Sequence, residues 1–281
     1  MASSLPELSS GEAELLPRPH WTALAAESRP RGRSDSLEEA PPILLPGLSV
    51  VLPCFNEAGN LLDMVQDALV AAERVADRYE VVVVDDGSSD GTGELAARLC
   101  EGRPHVRLVV HVTNRGYGAA VRTGIAAARM PHVLLTDADL QFDLGEIQRL
   151  VPLLSEADVV VGYRLRRNDP PSRRAAASGW NWLVRQLYGL PFRDVDCAFK
   201  LFPRDLLRRL ELESSGALFS TELLVKALAD GATVAEVGVH HYPRLTGKAS
   251  GGNPGVVVRA FGELARMHPA LHRAAERTGA G

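Results

Sequence analysis

Two aspartates one residue apart, Asp137 and Asp139, stand directly after the apolar run Val133–Leu135. A buried strand that stops at Asp-x-Asp carries both carboxylates to the rim of a sheet, where open α/β proteins keep their ligands. Hard oxygen donors so placed suit a divalent cation that also touches a substrate's phosphates. A polar turn uses the same residues, because Asp is common in turns, so the spacing alone does not decide. Two further clusters weigh on it. Asn56-Glu57 follows the apolar stretch Leu48–Cys54, and Asp85-Asp86 follows Glu80–Val84. In a parallel sheet the three clusters share one edge, and so much carboxylate at one rim is costly unless something positive neutralises it. A metal ion and the hydrogen-bond donors of a nucleotide would do so. Basic residues gather further on, at Arg164, Arg166, Arg167, Arg173 and Arg174. Arginine forks onto phosphate oxygens with two parallel hydrogen bonds, although a solvated face also accounts for a charge run. His240 and His241 end an apolar stretch, with no third ligand spaced for a metal.

The elements that must position these groups follow from periodicity. Strands are expected at Leu48–Cys54, Glu80–Val84, Val106–Val110, Val133–Thr136 and Asp158–Tyr163, with another at Thr233–His240. Glu80–Val84 is apolar without alternation, as parallel strands buried on both faces are. Helical spacing covers Ala58–Val75, Gly93–Cys100, the Ala-rich stretch to Met130, Leu144–Leu154, Arg173–Tyr188, Thr221–Ala229 and Val256–His268. Asp194–Phe202 reads as a strand at the far side of the sheet. Strands alternating with helices imply an α/β fold with a doubly wound, mostly parallel sheet and helices on both faces. Residues 1–46, rich in Ser, Pro, Glu and Arg, read as a disordered leader with a short helix near Trp21–Ala26. The folded domain then spans 47–253, and 254–281 form an amphipathic helix and tail.

The bulk values exclude several classes. The chain has 281 residues, 46% hydrophobic and 23% charged, as soluble globular proteins do. A net charge of −4 gives no reason to expect nucleic acid. Cys54, Cys100 and Cys197 lie far apart, which fits a reducing compartment without a disulfide framework. No apolar run approaches the ~20 residues of a membrane span, and the acids Glu7, Glu12 and Glu14 do not suit a secretory signal. A cytoplasmic protein that can rest peripherally on a membrane surface is expected. The loop after the first strand lacks Gly-x-Gly-x-x-Gly, and no Walker A pattern exists, so the dinucleotide and P-loop signatures are both missing.

Four motifs in order carry a family likeness: Val51-Leu-Pro-Cys-Phe-Asn-Glu57, Val83-Val-Asp-Asp-Gly-Ser-Ser-Asp-Gly-Thr92, Asn114-Arg-Gly-Tyr-Gly118 and Thr136-Asp-Ala-Asp-Leu-Gln141. They resemble family 2 glycosyltransferases of the GT-A fold, a Rossmann-like sheet. Gly162-Tyr-Arg164, Asp194–Phe202 and the stretch from Glu236 to Gly247 make the chain most similar to dolichyl- or polyprenyl-phosphate hexose synthases. The resemblance covers Leu48 to Asn253. It places the base and ribose of a nucleotide-sugar donor against Pro53, Asn56, Glu57, Asp85 and Asp86, and the diphosphate near Arg115 and Gly118. Glu57 also suits a helix N-terminus, and Gly118 also suits a plain turn. The resemblance gives Mg²⁺ or Mn²⁺ to Asp137 and Asp139, with Ala138 between them and Gln141 as a further ligand. Phe142 departs from the histidine that usually follows that glutamine in such synthases.

For a polyprenyl phosphate or other anionic acceptor, the resemblance supplies a clamp of Arg164, Arg174, Ser178 and Arg244, with Lys248 as an addition. Arg166, Arg167 and Arg173 read as solvated basic surface. A phosphate monoester, with a second pKa of about 6, can attack the anomeric carbon without a general base, whereas a hydroxyl needs one. Base candidates are Asp194, Asp196 and Glu222, and Asp196 could instead orient the clamp. The resemblance implies a single inverting displacement. Other readings are a family 2 enzyme with a soluble acceptor, a nucleotidyltransferase and a non-catalytic nucleotide-sugar binder. The nucleotidyltransferase lacks its basic Gly-rich loop after the first strand, and the intact Asp137-x-Asp139 weighs against the binder.

Overall fold

A computed structural model of the chain describes residues 44–165, 171–244 and 254–277. Its framework is a seven-stranded sheet of order β3-β2-β1-β4-β6-β5-β7. The strands are β1 (Leu48–Cys54), β2 (Tyr79–Asp85), β3 (Val106–Val110), β4 (His132–Leu135), β5 (Val159–Arg164), β6 (Lys200–Pro203) and β7 (Val234–Val239). β1 pairs in parallel with β2 and β4, so Cys54 lies level with Asp85 and Val51 level with Leu135. The ends of β1, β2 and β4 therefore deliver their polar loops to one rim.

Helices cover both faces, which is why β1 reads as a continuous apolar run. α1 (Leu61–Glu73) and α2 (Thr92–Cys100) pack Leu61, Met64, Val65, Ala96 and Leu99 against Val50, Leu52, Val81 and Val83. The alternate strand residues Val51, Val82 and Val84 meet α3 (Tyr117–Ala127) on the other face, together with α5 (Pro171–Tyr188), α6 (Arg204–Arg209), α7 (Phe219–Ala229) and α8 (Pro254–Glu276). Each fully buried aliphatic chain contributes about 1.5–3 kcal/mol relative to exposure. Between β4 and β5 the expected helix is broken into two 3-10 turns around the single turn α4 (Ile147–Leu150), with Pro152 in the second. α3 lies so close to the sheet that a Cβ on Gly124 would overlap the Val51 side chain.

Two sequence expectations are corrected here. Asp194–Phe202 is not one strand at the far side. Only Lys200–Pro203 pairs, and it lies between β4 and β5, antiparallel to both. Residues 194–199 stay outside the sheet, with the Cys197 amide donating to Asp194 O at 3.3 Å, Val195, Cys197 and Phe199 buried in the core and Asp194 lining a cavity. The C-terminal helix runs on to Glu276, through Pro269, because Leu271, Ala274 and Ala275 are buried against the second core face. Of the expected leader only Leu44–Pro46 are described. Leu45 belongs to the core, its amide donating to Val75 O at 2.7 Å. The remainder of the leader, Arg166, Arg167 and Lys248 lie outside the described residues.

Candidate active site

The loops after β1 and β2 are laced together at the rim. Asn56 sits in the left-handed region, φ +57°, and its side-chain oxygen accepts from the Ser89 amide at 2.9 Å. Its own amide donates to Ser88 Oγ at 2.9 Å, and the Glu57 amide donates to Thr92 Oγ1 at 2.9 Å. Asp85 accepts from the Ser88 amide at 3.1 Å. Leu140, in the loop after β4, is the other non-glycine residue with positive φ among the described residues, at +58°. A leucine there is strained by roughly 1–3 kcal/mol, and such strain gathers at ligand sites. Pro53, half-buried near the end of β1, completes the first loop's approach.

Asp86 is placed differently from the sequence expectation. Its carboxylate accepts from the Arg115 and Gly116 amides, both at 2.9 Å, and meets His111 Nδ1 at 2.6 Å. It fastens the loop that opens α3, so its reach toward a ligand runs through that loop. Gly118 is more than a turn residue: a Cβ there would overlap Ser214 O. The Arg115 side chain is exposed beside it.

The two motif aspartates lie two and four residues past the end of β4, with Ala138 buried between them. Burial, then the neighbouring Asp139 carboxylate, push the Asp137 carboxyl up to about 7, against the opposing pull of Tyr117, Arg164 and Lys200. Burial and the Asp137 charge in turn hold the Tyr117 hydroxyl, its hydrogen-bond partner, well above the ordinary phenol range. Gln141 turns its amide nitrogen to Tyr242 O at 2.9 Å, tying the loop after β4 to the segment after β7.

That segment carries Arg244. Sequence reasoning set it on the acceptor side, opposite the acids. The structure sets it among them: Nη2 donates to Glu57 Oε1 at 2.6 Å and to Asp139 Oδ2 at 3.1 Å. Burial raises the Glu57 carboxyl above its ordinary value, while Asn60 and Arg244 oppose that shift.

Of the remaining acceptor candidates, Arg164, Ser178 and Asp194 line a cavity of about 140 Å³ together with Tyr163, Asn181 and Arg193. Arg164 is fixed by a two-point bond to Asp194, at 2.6 and 2.8 Å. Arg174 and Ser178 are exposed four residues apart on α5, hence on one helical face. Asp194 spends both oxygens on Arg164. Glu222 is fully buried and accepts from the Glu213 and Ser214 amides and from Lys226, each within 2.8 Å. Both carboxylates are thus engaged within the protein. Sequence reasoning gave no role to Lys200, Tyr117, His111 or Arg193. Lys200 is fully buried, donating to Cys197 O, and burial lowers its ammonium below the ordinary range. Lys200 and Tyr117 lie inside recognised motifs, so their position was a signal. The Arg193 guanidinium, 4.6 Å above the Tyr163 ring, and the His111–Asp86 contact gave none.

The donor set suits a divalent metal of the hard class. Asp137 and Asp139 supply carboxylate oxygens, and their mutual repulsion is what a cation relieves. Among the described residues no group of three or more His, Cys, Asp or Glu side chains is arranged for a metal. Two carboxylates leave most of such an ion's coordination to phosphates and water, as with Mg²⁺.

The family model described as Glycosyl transferase family 2 matches residues 49–211. The chain is 28% identical over 220 residues to the dolichyl-phosphate beta-glucosyltransferase of Saccharomyces cerevisiae, covering 68% of this chain and 66% of that one. It is 30% identical over 237 residues to the undecaprenyl-phosphate 4-deoxy-4-formamido-L-arabinose transferase of Shewanella sediminis, covering 83% and 70%. Among solved structures, it is similar to the glucosyl-3-phosphoglycerate synthase of Mycobacterium tuberculosis in complex with Mn²⁺, uridine diphosphate and glucosyl-3-phosphoglycerate. The TM-score is 0.59 at 20% identity, covering 83% of this chain and 80% of that one. The sheet described above is of the same GT-A type.

Proposed function

The chain belongs to glycosyl transferase family 2, and from that membership we propose that it moves a hexose from a nucleoside-diphosphate sugar to the phosphate of a polyprenyl phosphate. One observation carries the reading. The acids at the ends of β1, β2 and β4 adjoin a basic cavity, with Lys200 buried beside them and Tyr117 hydrogen-bonded to Asp137. Pro53, Asn56, Glu57 and Asp85 would meet the base and ribose, and Asp86 would act by holding the Arg115–Gly118 loop at the diphosphate. Asp137 and Asp139, with Gln141 beside them, would hold Mg²⁺ or Mn²⁺. Such an ion supplies Lewis-acid neutralisation of the departing nucleoside diphosphate.

Arg164, oriented by Asp194, would receive the acceptor phosphate with Ser178 and Arg174. Because that phosphate is already largely ionised near neutral pH, Asp196 need only orient the clamp, and one displacement inverts the anomeric centre. The names of the dolichyl- and undecaprenyl-phosphate relatives support this acceptor, although the chain spans only about two thirds of the yeast relative's length. Contact with the cytoplasmic face of a membrane would run through α5 and α8. There Trp182, Val257, Val258 and Phe261 are exposed beside Arg174, Arg259 and Arg266, the composition of an interfacial helix. Among the described residues no helix is long and apolar enough to cross a membrane. A soluble phosphate monoester is the second reading, since the arginines and Ser178 at the cavity address a phosphate whatever it is attached to.

Thermal shifts with a panel of UDP- and GDP-sugars test the donor half. Sugars of one base should stabilise the protein only with Mn²⁺ or Mg²⁺ present, by about 2.7 kcal/mol at one hundred times Kd. Asp139→Ala should lose that shift. A panel without any shift would remove the reading.

A further inference from the structure

The loop Glu213–Gly216 is held from two sides by carboxylates. Glu222 of α7 takes the Glu213 and Ser214 amides, both at 2.8 Å. Glu263 of α8 takes Ser214 Oγ at 3.0 Å, and both the amide and the hydroxyl of Ser215 at 3.1 Å. With the amides so engaged, the Ser214 and Ser215 carbonyls face the opposite way, toward the start of α3. Ser214 O accepts from the Arg122 guanidinium, and Ser215 O accepts from the Gly118 amide at 3.0 Å. A Cβ on Gly116 would overlap Ser215 O, and one on Gly118 would overlap Ser214 O. The Arg115–Gly118 loop is therefore gripped between the Asp86 carboxylate on the sheet side and two carbonyls on the other.

Glu263 is not a solvated surface acid. It is half-buried on the same helix as the core residues Ala260, Leu264 and Met267, and it receives three hydrogen bonds from neutral donors. Bonds to a charged acceptor are roughly twice as strong as neutral ones. They fix both serines in one orientation. α8 also lies outside residues 49–211, the stretch matched by the family model.

We propose that Glu263 is a positioning residue for the donor diphosphate, and that α8 completes the donor side of the site through the relay Glu263–Ser214/Ser215–Gly116/Gly118. The relay rests on the donor reading of the Arg115–Gly118 loop given above. It does not depend on which base or sugar is bound. Loss of the Glu263 carboxylate would free the two serines, release the carbonyl wall and let the loop drift from the position set by Asp86.

The test is hydrogen exchange of the full-length protein, read by mass spectrometry, for the wild type, Glu263→Ala and Glu263→Gln. In Glu263→Ala the amides of 115–118 and 214–215 should exchange about tenfold faster or more, with β1 and β2 unchanged. Donor KM should rise by about the same factor while kcat stays near wild type. Glu263→Gln, which still accepts from the Ser215 amide, should restore most of both. Unchanged exchange at 115–118, or faster exchange spread equally through β1 and β2, overturns the relay. If Glu263→Ala does not fold, Ser215→Ala removes one donor without touching α8 and carries the same readouts. A local rise in exchange in a protein that binds no nucleotide sugar upholds the mechanical clamp and removes the donor reading, so the two failures are distinct.

Discussion

Arg244 and Asp139 are ion-paired: the arginine's Nη2 lies 3.1 Å from Asp139 Oδ2 while also donating to Glu57 at 2.6 Å. One guanidinium thus neutralises acids from the ends of two different strands, and it draws the segment after β7 over the rim.

Replacing Arg244 should therefore be felt without any substrate. Arg244→Ala leaves Glu57 and Asp139 buried without this cation, and breaking such a pair costs about 3 kcal/mol. Urea denaturation in the presence of a chelator measures it. Adding Mn²⁺ should recover more stability in the variant than in the wild type, because the cation relieves the repulsion that Arg244 had offset. An unchanged midpoint would show that the pair contributes nothing.

The Asp137 carboxyl, raised to about 7, fixes the sign of a pH dependence. Its folded value lies above its unfolded one, so the native state binds the extra proton between about pH 4 and pH 7. Metal-free protein should be most stable, from this group, below the ordinary carboxyl range, and should lose that contribution as pH rises toward 7. Mn²⁺ affinity should move the other way and increase up to about pH 7, since binding must displace the proton. Melting temperatures from pH 5 to 8, with chelator and with Mn²⁺, check both, and Asp137→Asn should flatten both curves.

Arg174 and Ser178 separate recognition from folding. Both are exposed on α5, so Arg174→Ala and Ser178→Ala should change stability by less than about 0.5 kcal/mol. Arg174→Ala should nevertheless raise the acceptor KM about tenfold or more, with donor KM unchanged, because a charge-assisted contact to phosphate is lost. Steady-state kinetics with each substrate varied in turn decide it. Equal changes in both KM values would move Arg174 out of the acceptor clamp.

Gly124 tests the packing that carries the rim. A methyl there meets Val51 directly and Val84 at 3.3 Å. Gly124→Ala should destabilise the fold by about 1–3 kcal/mol through overpacking, despite alanine's better helix propensity. A stabilised variant would mean that α3 can move away from the sheet freely.

Much of this architecture was legible before the structure. Apolar runs marked β1 to β5 and β7, most plainly β2, whose Val81–Val84 are buried and carry no alternation. The same runs carry no information about neighbours. Asp194–Phe202 was apolar enough to be a strand, but nothing in it showed that only Lys200–Pro203 would insert antiparallel between β4 and β5. The C-terminal helix continues past Pro269, although helices usually stop before a proline. Tertiary burial of Leu271 and Ala274 overrode that local rule. At the site, the motif acids were visible as clusters, but their partners were not. His111 lies 25 residues from Asp86, Arg244 lies 105 from Asp139, and Glu263 lies 48 from Ser215. Periodicity reports which side of an element is buried. It does not say which distant side chain arrives there, and for that reason the contacts of Arg244 with Glu57 and Asp139 were not visible in it.

Product analysis tests the central claim most directly. Full-length protein is incubated with Mn²⁺, the nucleotide sugar that stabilises it, and either a polyprenyl phosphate or a soluble phosphate monoester. Nucleoside diphosphate should be released in step with a glycosyl phosphate of inverted anomeric configuration on the polyprenyl acceptor, and Asp139→Ala should abolish both. Transfer only to a soluble acceptor, or turnover that survives Asp139→Ala, would contradict the claim.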